Sequence, residues 1–264
     1  MPREYFTAHL TDSRELGVGY RLLTLGGCAA LAASRPGQFV MLRGPWGRDP
    51  VLPRAYSILS ADGERARFLV QRVGRGSNLL ADAAVGEPIT VLGPLGNGFP
   101  EPEASDTVSL LVAGGCGLPP LHLAATRAAE VRRGAQIELL QGTRSSGQLL
   151  SPLLDELRAR ELRLWIATED GSAGERGLVT QLLQRRLEHL HPGPCRVLAC
   201  GPTAMLRAVR EVARQHGVQC LLSLEAEMAC GLGACLGCAV EAPGSGYVHV
   251  CSDGPVFDGE EVWP

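Results

Sequence analysis

Length, composition and charge already narrow what this chain can be. It has 264 residues, of which 45% are hydrophobic and 20% charged, and its formal net charge is −3. This length allows two domains and a small appendage, and the slight acidity argues against binding to nucleic acids. The first residues lack the apolar stretch of a signal peptide, and no apolar run approaches the roughly 18 residues of a membrane span. We therefore expect a cytoplasmic protein that does not bind a membrane.

Residues 1–100 have the pattern of an antiparallel β-barrel. Short apolar runs are separated by glycine and proline, which is typical of closely spaced strands joined by turns. The predicted strands are Gln38–Leu42, Ala55–Leu59, Arg67–Gln71 and Pro88–Leu92. The polar stretch Pro100–Asp106 that follows contains no large apolar side chain, so it is predicted to be a linker.

Residues 101–224 alternate between strands and helices, which predicts a doubly wound parallel sheet. The predicted strands are Val108–Ala113, Gln136–Leu140, Leu162–Ala167, Arg196–Cys200 and Gln219–Leu222. The predicted helices are Pro119–Arg133, Ser151–Arg160, Gly177–His189 and Thr203–His216. In open sheets of this kind, ligands bind at the carboxyl ends of the strands.

Four cysteines in residues 225–264 form the most specific motif of the chain. The spacing is Cys230-x4-Cys235-x2-Cys238, followed by Cys251. This is the plant-type spacing of a [2Fe–2S] centre. A zinc site is the alternative, but zinc sites favour pairs of shorter spacings. A segment this short and glycine-rich needs a metal centre to stabilise it, so we predict a small third domain that holds a [2Fe–2S] cluster.

Two motifs in the barrel region suit a flavin. Arg54-Ala-Tyr-Ser57 offers a guanidinium for a pyrophosphate, an aromatic face for an isoalloxazine ring and a hydroxyl for its N5 atom. Gly74-Arg-Gly-Ser77 precedes a predicted helix, Asn78–Asp82, whose amino end favours a phosphate. Together these motifs resemble the ferredoxin–NADP reductase superfamily. The resemblance implies an FAD site, with Tyr56 and Ser57 beside the reacting ring, built from Arg54, Ala55, Tyr56, Ser57, Gln71, Gly74, Gly76 and Ser77.

The glycine-rich segment Val112–Pro120 follows a strand and opens a helix, a setting that favours a pyrophosphate. It lacks the G-x-G-x-x-G order but resembles the superfamily's Gly-Gly-x-Gly-x-x-Pro loop for NAD(P)H. The superfamily often has a cysteine near the nicotinamide, a role that Cys200 would take here; an inert buried thiol is the alternative. Cys116 occupies a position that is usually aliphatic. The nucleotide site implied by the resemblance consists of Gly114, Gly115, Gly117, Gly142, Arg144, Gly201 and Pro202.

The order of the three units narrows the resemblance to one family. The segments Pro36–Leu42, Leu95–Phe99, Asp170–Gly174 and Glu227–Cys238 are similar to the electron-transfer subunits of class 1B dihydroorotate dehydrogenases. The chain departs from that family at Ala55-Tyr56, where proline and an aliphatic residue are common. The resemblance implies a complex with an FMN-containing catalytic subunit, commonly two copies of each, in pyrimidine biosynthesis. Electrons would pass between that FMN and NAD through the [2Fe–2S] cluster and FAD.

The motifs leave the partner and the nucleotide open. A homologous subunit of a sulfhydrogenase, a sulfite reductase or a bifurcating ferredoxin–NADP reductase complex would carry the same cofactor sites, and a scaffold without redox turnover is a third alternative. Arg144 suits the 2′-phosphate of NADPH, whereas Glu169 and Asp170 would repel one. The resemblance favours NADH.

Overall fold

The computed structural model describes residues 3–100, 108–131, 137–190, 193–244 and 246–263. The predicted linker beyond Pro100 lies outside these ranges, as do Gln136 and residues 132 and 133 of a predicted helix. Within the described ranges, no helix is both long enough and apolar enough to cross a membrane. The chain forms two large sheets and a small hairpin.

The first sheet is antiparallel and curls into the predicted barrel. Its order is β4-β3-β7-β1-β2-β6-β5. Only two residues, Ile58 and Leu59, separate the end strands β4 and β5 along the chain. The Ile58 N–H group donates to the Gln38 carbonyl, directly before β3, at 3.1 Å, and the Leu59 N–H group donates to the Arg67 carbonyl, on β6, at 3.0 Å. The sheet therefore closes on itself. Its elements are β1 (Glu4–Gly17), β2 (Tyr20–Gly26), β3 (Phe39–Arg43), β4 (Arg54–Ser57), β5 (Ser60–Asp62), β6 (Arg65–Gln71), the helix α1 (Arg75–Ala81) and β7 (Pro88–Leu95).

The sequence prediction missed strands β1, β2 and β5. In β1 the buried residues Ala8 and Leu10 alternate with exposed polar ones, so the strand contains no continuous apolar run. Helix α1 begins at Arg75 instead of Asn78. The predicted phosphate loop therefore forms the first turn of the helix and does not precede it.

The second sheet has helices on both faces, as predicted. Helices α2 and α3 pack on one face and helices α4 and α5 on the other. The order is β11-β10-β9-β8-β12-β13-β16, where β16 is Val256–Asp258, and every pair of neighbours is parallel except the last. The elements are β8 (Val108–Gly114), α2 (Leu118–Val131), β9 (Ile137–Thr143), α3 (Ser151–Arg158), β10 (Arg163–Thr168), β11 (Glu175–Arg176), α4 (Val179–Leu190), β12 (Cys195–Cys200), α5 (Thr203–Gln215) and β13 (Gln219–Ser223).

The cysteine-rich segment contains the hairpin strands β14 (Ala239–Ala242) and β15 (Gly246–His249), then β16 (Val256–Asp258). Strand β16 pairs antiparallel with β13 and so extends the nucleotide sheet, which the sequence did not predict because this strand has only three residues. Asn97 of the barrel binds the same segment: its side chain donates to the Val256 carbonyl at 2.8 Å and accepts the Val256 N–H at 2.9 Å. The third unit is thus held by both large sheets.

A charged cluster joins the barrel to the nucleotide domain. Arg67 on β6 binds Glu156 on α3 through two hydrogen bonds of 2.8 and 2.9 Å. The Nε2 atom of the buried His122, on α2, lies 3.4 Å from the same carboxylate. Burial alone would raise the pKa of Glu156, but His122 and Arg67 outweigh it and hold this pKa well below its usual range. The two domains are therefore connected by an ionised carboxylate.

Glu138 is a fully buried carboxylate within the nucleotide sheet. Its oxygens accept hydrogen bonds from Arg186 Nε at 2.9 Å, Arg186 Nη2 at 3.0 Å and Trp165 Nε1 at 2.8 Å. The Arg186 guanidinium also lies over the Trp165 ring, 4.5 Å from its centre. The carboxylate is thus desolvated and well satisfied. Removal of Arg186 would leave it with one cationic partner, the exposed Arg163 at 3.3 Å.

We expect Arg186→Met to lower the free energy of unfolding by about 3 kcal/mol because it leaves the buried Glu138 carboxylate with only an exposed cationic partner. The matched control is Arg185→Met, which breaks the exposed ion pair with Glu175 and should cost less than about 1 kcal/mol. Urea denaturation of both variants measures the difference. Equal losses would show that the Glu138 network does not carry this stability.

Candidate functional site

One cavity of about 790 Å³ lies where the three units meet. Its wall contains residues of the barrel, of the nucleotide loops and of the cysteine-rich segment. A ligand in it would touch all three units at once. The lining residues include Arg54, Ala55, Tyr56, Ser57, Gln71, Gly74, Gly76, Ser77, Cys116, Cys200, Glu225, Met228, Ala229 and Gly237.

Strand β4 supplies the barrel side of the cavity. Its Arg54 side chain donates to the Leu52 carbonyl at 2.7 Å, which fixes the guanidinium beside the cavity. A Cβ atom at Gly76 would lie 2.8 Å from Arg54 Nε, so a side chain at this position would displace the guanidinium from its place. Burial raises the pKa of Tyr56, and the phenol therefore keeps its proton as a hydrogen-bond donor.

The Ser77 hydroxyl is already engaged by the backbone. It accepts hydrogen bonds from the N–H groups of Val73 and Gly74 at 3.1 and 3.0 Å, and it donates to the Gly74 carbonyl at 2.9 Å. Ser77 thus caps the start of α1, and its side chain positions the loop around Gly76. Gln71 and Gly74, the other predicted residues, also line the cavity.

Different structural constraints require glycine at the three glycine positions of the nucleotide loop. A Cβ atom at Gly117 would lie 2.2 Å from the Cys200 carbonyl oxygen, and one at Gly114 would lie 2.4 Å from Met205 Sδ. Gly115 has a φ of +50° and faces open space. The sequence indicated only that this loop favours a pyrophosphate. The structure adds that two of them are required by close packing between the loops after β8 and β12.

The remaining predicted nucleotide residues lie beside the cavity along the same sheet edge. Gly114 pairs with Gly142 across β8 and β9, and a Cβ atom at Gly142 would meet Val179 at 2.6 Å. Arg144 is exposed, and its carbonyl accepts the Asp170 N–H at 3.1 Å. Gly201 packs on Gly114, and Pro202 follows it. All seven predicted nucleotide residues therefore lie at the carboxyl edge of the sheet, but none of them lines the cavity. The residues of these loops that do line it are Cys116, Pro119 and Cys200.

Two thiols face the cavity from the nucleotide loops. Burial raises the pKa of Cys116 to about 11 and raises that of Cys200 well above its ordinary value. Both cysteines therefore stay protonated at neutral pH. Neither is activated as a nucleophile, so Cys200 contributes shape and a neutral surface to the cavity.

Interactions between their thiols connect the four predicted cluster ligands beside this cavity. Among the described residues, however, no three such side chains already surround one metal-ion position. The Sγ atoms of Cys238 and Cys251 lie 3.2 Å apart, and the Gly233 N–H group donates to Cys251 Sγ at 3.1 Å. Hydrogen bonds from the N–H groups of Leu232 and Cys235 lower the pKa of Cys230 to about 6. Each of the nine cysteines is a free thiol. This set of thiols, with N–H groups directed at sulfur, fits an iron–sulfur cluster.

The cysteine loop is held against the barrel. A Cβ atom at Gly231 would lie 2.8 Å from Met41 Cγ and 3.0 Å from Leu95 Cδ1. Gly231 and Gly233 have φ angles of +70° and +81°, which turn the loop tightly around the sulfurs. The loop therefore approaches the barrel closely beside the cavity, which its flanking residues Ala229 and Gly237 line.

Comparison with known proteins identifies the family. The chain is 38% identical to the electron transfer subunit of dihydroorotate dehydrogenase B (NAD(+)) from Geobacillus kaustophilus over 245 residues, 91% of each chain. It is 36% identical to the corresponding subunit of Bacillus cereus over 261 residues, 96% of each chain. The chain belongs to this family of electron transfer subunits. It is therefore a subunit of an NAD-dependent oxidoreductase.

Two domain families match parts of this electron transfer subunit. Residues 225–263 match the iron–sulfur cluster binding domain of dihydroorotate dehydrogenase B. Residues 111–211 match the oxidoreductase NAD-binding domain. These matches confirm the resemblance and the prediction of an iron–sulfur site and an NAD site. The domain boundaries after residues 100 and 224 stay predictions.

Solved structures share the fold of this electron transfer subunit. An NADH-dependent reduced ferredoxin–NADP oxidoreductase, studied for flavin-based electron bifurcation, superposes with a TM-score of 0.81 and 28% identity, covering 97% of this chain and 89% of that one. A ferredoxin–NADP reductase from Neisseria gonorrhoeae superposes with a TM-score of 0.66 and 20% identity, covering 81% and 92% of the two chains. The second likeness concerns the fold alone.

Sequence reasoning missed the cavity residues just after β13. Leu224, Glu225, Ala226 and Met228 line the cavity, although they were assigned to the start of the cluster domain or to no site. The sequence did contain a signal for these residues, since polar residues directly after a parallel strand lie at the edge of the sheet where ligands bind. Because the cysteine motif follows directly, this segment was interpreted only as part of a metal site.

Proposed function

We propose that this electron transfer subunit passes electrons between NAD and an FMN-containing dihydroorotate dehydrogenase catalytic subunit through FAD and a [2Fe–2S] cluster. The observation that supports this most is the single cavity lined by the barrel motif, the nucleotide loops and the cluster segment. A bound flavin exchanges hydride with a nicotinamide and single electrons with an iron–sulfur centre. The chain's part is to hold these groups close and in order.

Residues of the barrel motif would hold the FAD in this proposal. Arg54, fixed beside Gly76, would meet the pyrophosphate, and the Tyr56 ring and Ser57 hydroxyl would bound the isoalloxazine ring. Cys116 and Cys200, whose thiols stay protonated, would border the nicotinamide on the nucleotide side of the cavity.

The cluster would connect the cavity to the partner. Cys238 and Cys251 are buried, whereas Cys235 is exposed, so one side of the cluster site faces the protein interior and the other faces solvent. Electron transfer to a separate subunit needs such a surface-exposed side. We extend the proposal to a complex with two copies of each subunit, located in the cytoplasm.

We propose NADH as the nucleotide. Hydrogen bonds from the Ser172 hydroxyl and N–H group lower the pKa of Asp170, which therefore carries a negative charge beside the Arg144 backbone. A carboxylate on this loop repels the 2′-phosphate that distinguishes NADPH. The names of the most similar relatives, which specify NAD(+), support this choice.

The test is the cofactor content of the purified protein. We expect about one FAD and about two irons per chain, with matching acid-labile sulfide, because the cavity fits one flavin and four cysteines fit one [2Fe–2S] cluster. Absorbance and electron paramagnetic resonance before and after NADH addition would show both groups being reduced. Zinc without acid-labile sulfide would contradict the cluster assignment, and absence of flavin would contradict the FAD site.

A subunit of a bifurcating complex is the second candidate. The 28% identity and TM-score of 0.81 to the NADH-dependent reduced ferredoxin–NADP oxidoreductase support it. The higher identity to dihydroorotate dehydrogenase subunits favours the first candidate. Co-purification distinguishes the two, since only the first requires an FMN-containing dihydroorotate dehydrogenase as the associated chain.

A further inference from the structure

Gln141 is a buried amide that contacts the nucleotide loop, residues 114–117. It lies on β9, where it pairs with Ala113 of β8, the residue directly before that loop. Leu139, two residues earlier on the same strand, belongs to the same buried apolar cluster as Leu121 of α2, so Gln141 faces the side of the sheet on which α2 packs. Its side chain therefore points at the turn between β8 and α2.

The nitrogen of the Gln141 amide makes the contact with this loop. Its Nε2 atom donates to the Gly115 carbonyl at 3.3 Å and to the Gly142 carbonyl at 3.4 Å. Its Oε1 atom has no hydrogen-bond partner among the residues that the structure describes. A reversed amide would direct this oxygen at two carbonyl oxygens, which would repel it. The orientation of the amide is therefore set by its donation to the two carbonyls.

A glutamine at this position is unfavourable for folding alone. Gln141 is 1% exposed and lies on a face of the sheet that is covered by leucines, and a buried amide oxygen without a partner costs free energy. An apolar side chain of the same length would fill the space without this cost. Residues that weaken a core in this way are expected at functional sites. The contact of Gln141 with Gly115 therefore calls for a functional explanation.

The direction of the Gly115 carbonyl fixes the direction of the next N–H group. The peptide bond between Gly115 and Cys116 is trans, so its carbonyl and its N–H group point in opposite directions. Because the carbonyl is held on Gln141, the Cys116 N–H group points away from the buried amide. Cys116 lies in the helical turn that continues into α2, where the first N–H groups lack an intrahelical acceptor, and it lines the cavity. Its N–H group is thus available to a phosphate.

We propose that Gln141 is a positioning residue for the nucleotide, which holds the Gly115 carbonyl inward and thereby keeps the Cys116 N–H group directed at the nucleotide phosphates. This inference rests on the proposed function, because it requires the phosphates of NAD to bind at the nucleotide loop. Gln141 does not line the cavity, so it acts through the loop alone. Without this contact the peptide after Gly115 turns more freely, since glycine permits many conformations, and the phosphates lose a donor that is already oriented.

The experiment compares two hydride donors that reduce the flavin of the holoprotein. One is NADH, and the other is 1-benzyl-1,4-dihydronicotinamide, which has the same reacting ring and no phosphate. Gln141→Met keeps the length of the side chain and removes the amide, so it should weaken the apparent affinity for NADH about tenfold in anaerobic stopped-flow measurements. The limiting rate with NADH and the second-order rate with the phosphate-free donor should stay within about twofold, because the reacting ring is not touched.

Binding without turnover is measured with ADP-ribose, which contains the pyrophosphate and no nicotinamide. Calorimetry should show that Gln141→Met weakens its binding about tenfold as well, because the affected contact is with phosphate. The control is Gln38→Met, which removes a comparable donor from the barrel, where Gln38 Nε2 binds the Gly96 carbonyl at 2.8 Å. This control should leave the preference between the two hydride donors unchanged.

Two results would overturn this role of Gln141. One is equal slowing with both hydride donors, and the other is unchanged affinity for NADH and ADP-ribose in the variant. Gln141→Leu is measured in parallel as a second apolar replacement. If neither variant gave a folded holoprotein, the amide would be a support of the core and the proposal would be wrong. If the unsubstituted holoprotein were reduced by the phosphate-free donor and not by NADH, the proposed function itself would fail.

Discussion

Cys235→Ser is expected to abolish electron delivery to the FMN-containing subunit while NADH still reduces the FAD of the same protein. Serine is a poor iron ligand compared with a thiolate, so the cluster would be lost or altered. The flavin cavity is lined by Ala229 and Gly237 of the cysteine loop but not by Cys235, which is exposed. Hydride transfer from NADH should therefore survive.

Two measurements on the purified complex test this expectation. Anaerobic addition of NADH should bleach the flavin absorbance in the variant as it does in the unsubstituted protein. Dihydroorotate-dependent NAD⁺ reduction should fall to background. Cys195→Ser is the matched control, because Cys195 is a free thiol at the start of β12, at the opposite end of this strand from Cys200, and this variant should retain both activities. If NADH no longer bleached the flavin of a folded Cys235→Ser protein, the order of the cofactors would be wrong.

The candidate cofactor motifs could be proposed from the sequence because the residues of each motif are close together in the chain. Cys230, Cys235 and Cys238 lie within one loop, and a single strand supplies Arg54, Tyr56 and Ser57. The parallel sheet was equally readable, since its buried strands are continuous apolar runs. Each of these features depends on residues that are close together in the sequence. Residue composition and the spacing of apolar residues are therefore enough to predict it.

The packing of the three units against one another could not be predicted from local sequence patterns. The bonds from Asn97 to Val256 and from Arg67 to Glu156 join residues 159 and 89 positions apart. No local pattern records which pairs will meet across such separations. The position of Glu225 has the same origin, because it enters the flavin cavity only when β13 is placed beside β12. The site was thus predicted as separate motifs, and the tertiary packing combines them.

Exposed apolar side chains on the cysteine loop indicate where the partner subunit binds. Leu232 and Leu236 are 41% and 58% exposed, so neither side chain is packed into its own domain. Leu236 also has a φ of +59°, a left-handed conformation that costs a residue with a side chain roughly 1–2 kcal/mol and a glycine almost nothing. An exposed leucine in this conformation is consistent with a role for its side chain outside this chain, at an interface.

Leu236→Glu is expected to weaken association with the FMN-containing subunit at least about tenfold, because it places a charge in an apolar interface. Leu236→Gly is the second variant: it removes the same side chain while relieving the backbone conformation, so it separates lost contact from misfolding. The matched control is Leu178→Glu, which adds a charge at a similarly exposed leucine, 53% exposed, in the nucleotide domain.

Association is measured by analytical ultracentrifugation of the mixed subunits, and activity by two assays. Both Leu236 variants should lose dihydroorotate-dependent NAD⁺ reduction in proportion to the weakened association. NADH reduction of ferricyanide, taken at the flavin, should be unchanged, because Leu236 does not line the cavity. Full association of both variants with intact cluster spectra would show that the catalytic subunit binds elsewhere. In that case the exposed edge at Cys235 would not be the exit for electrons.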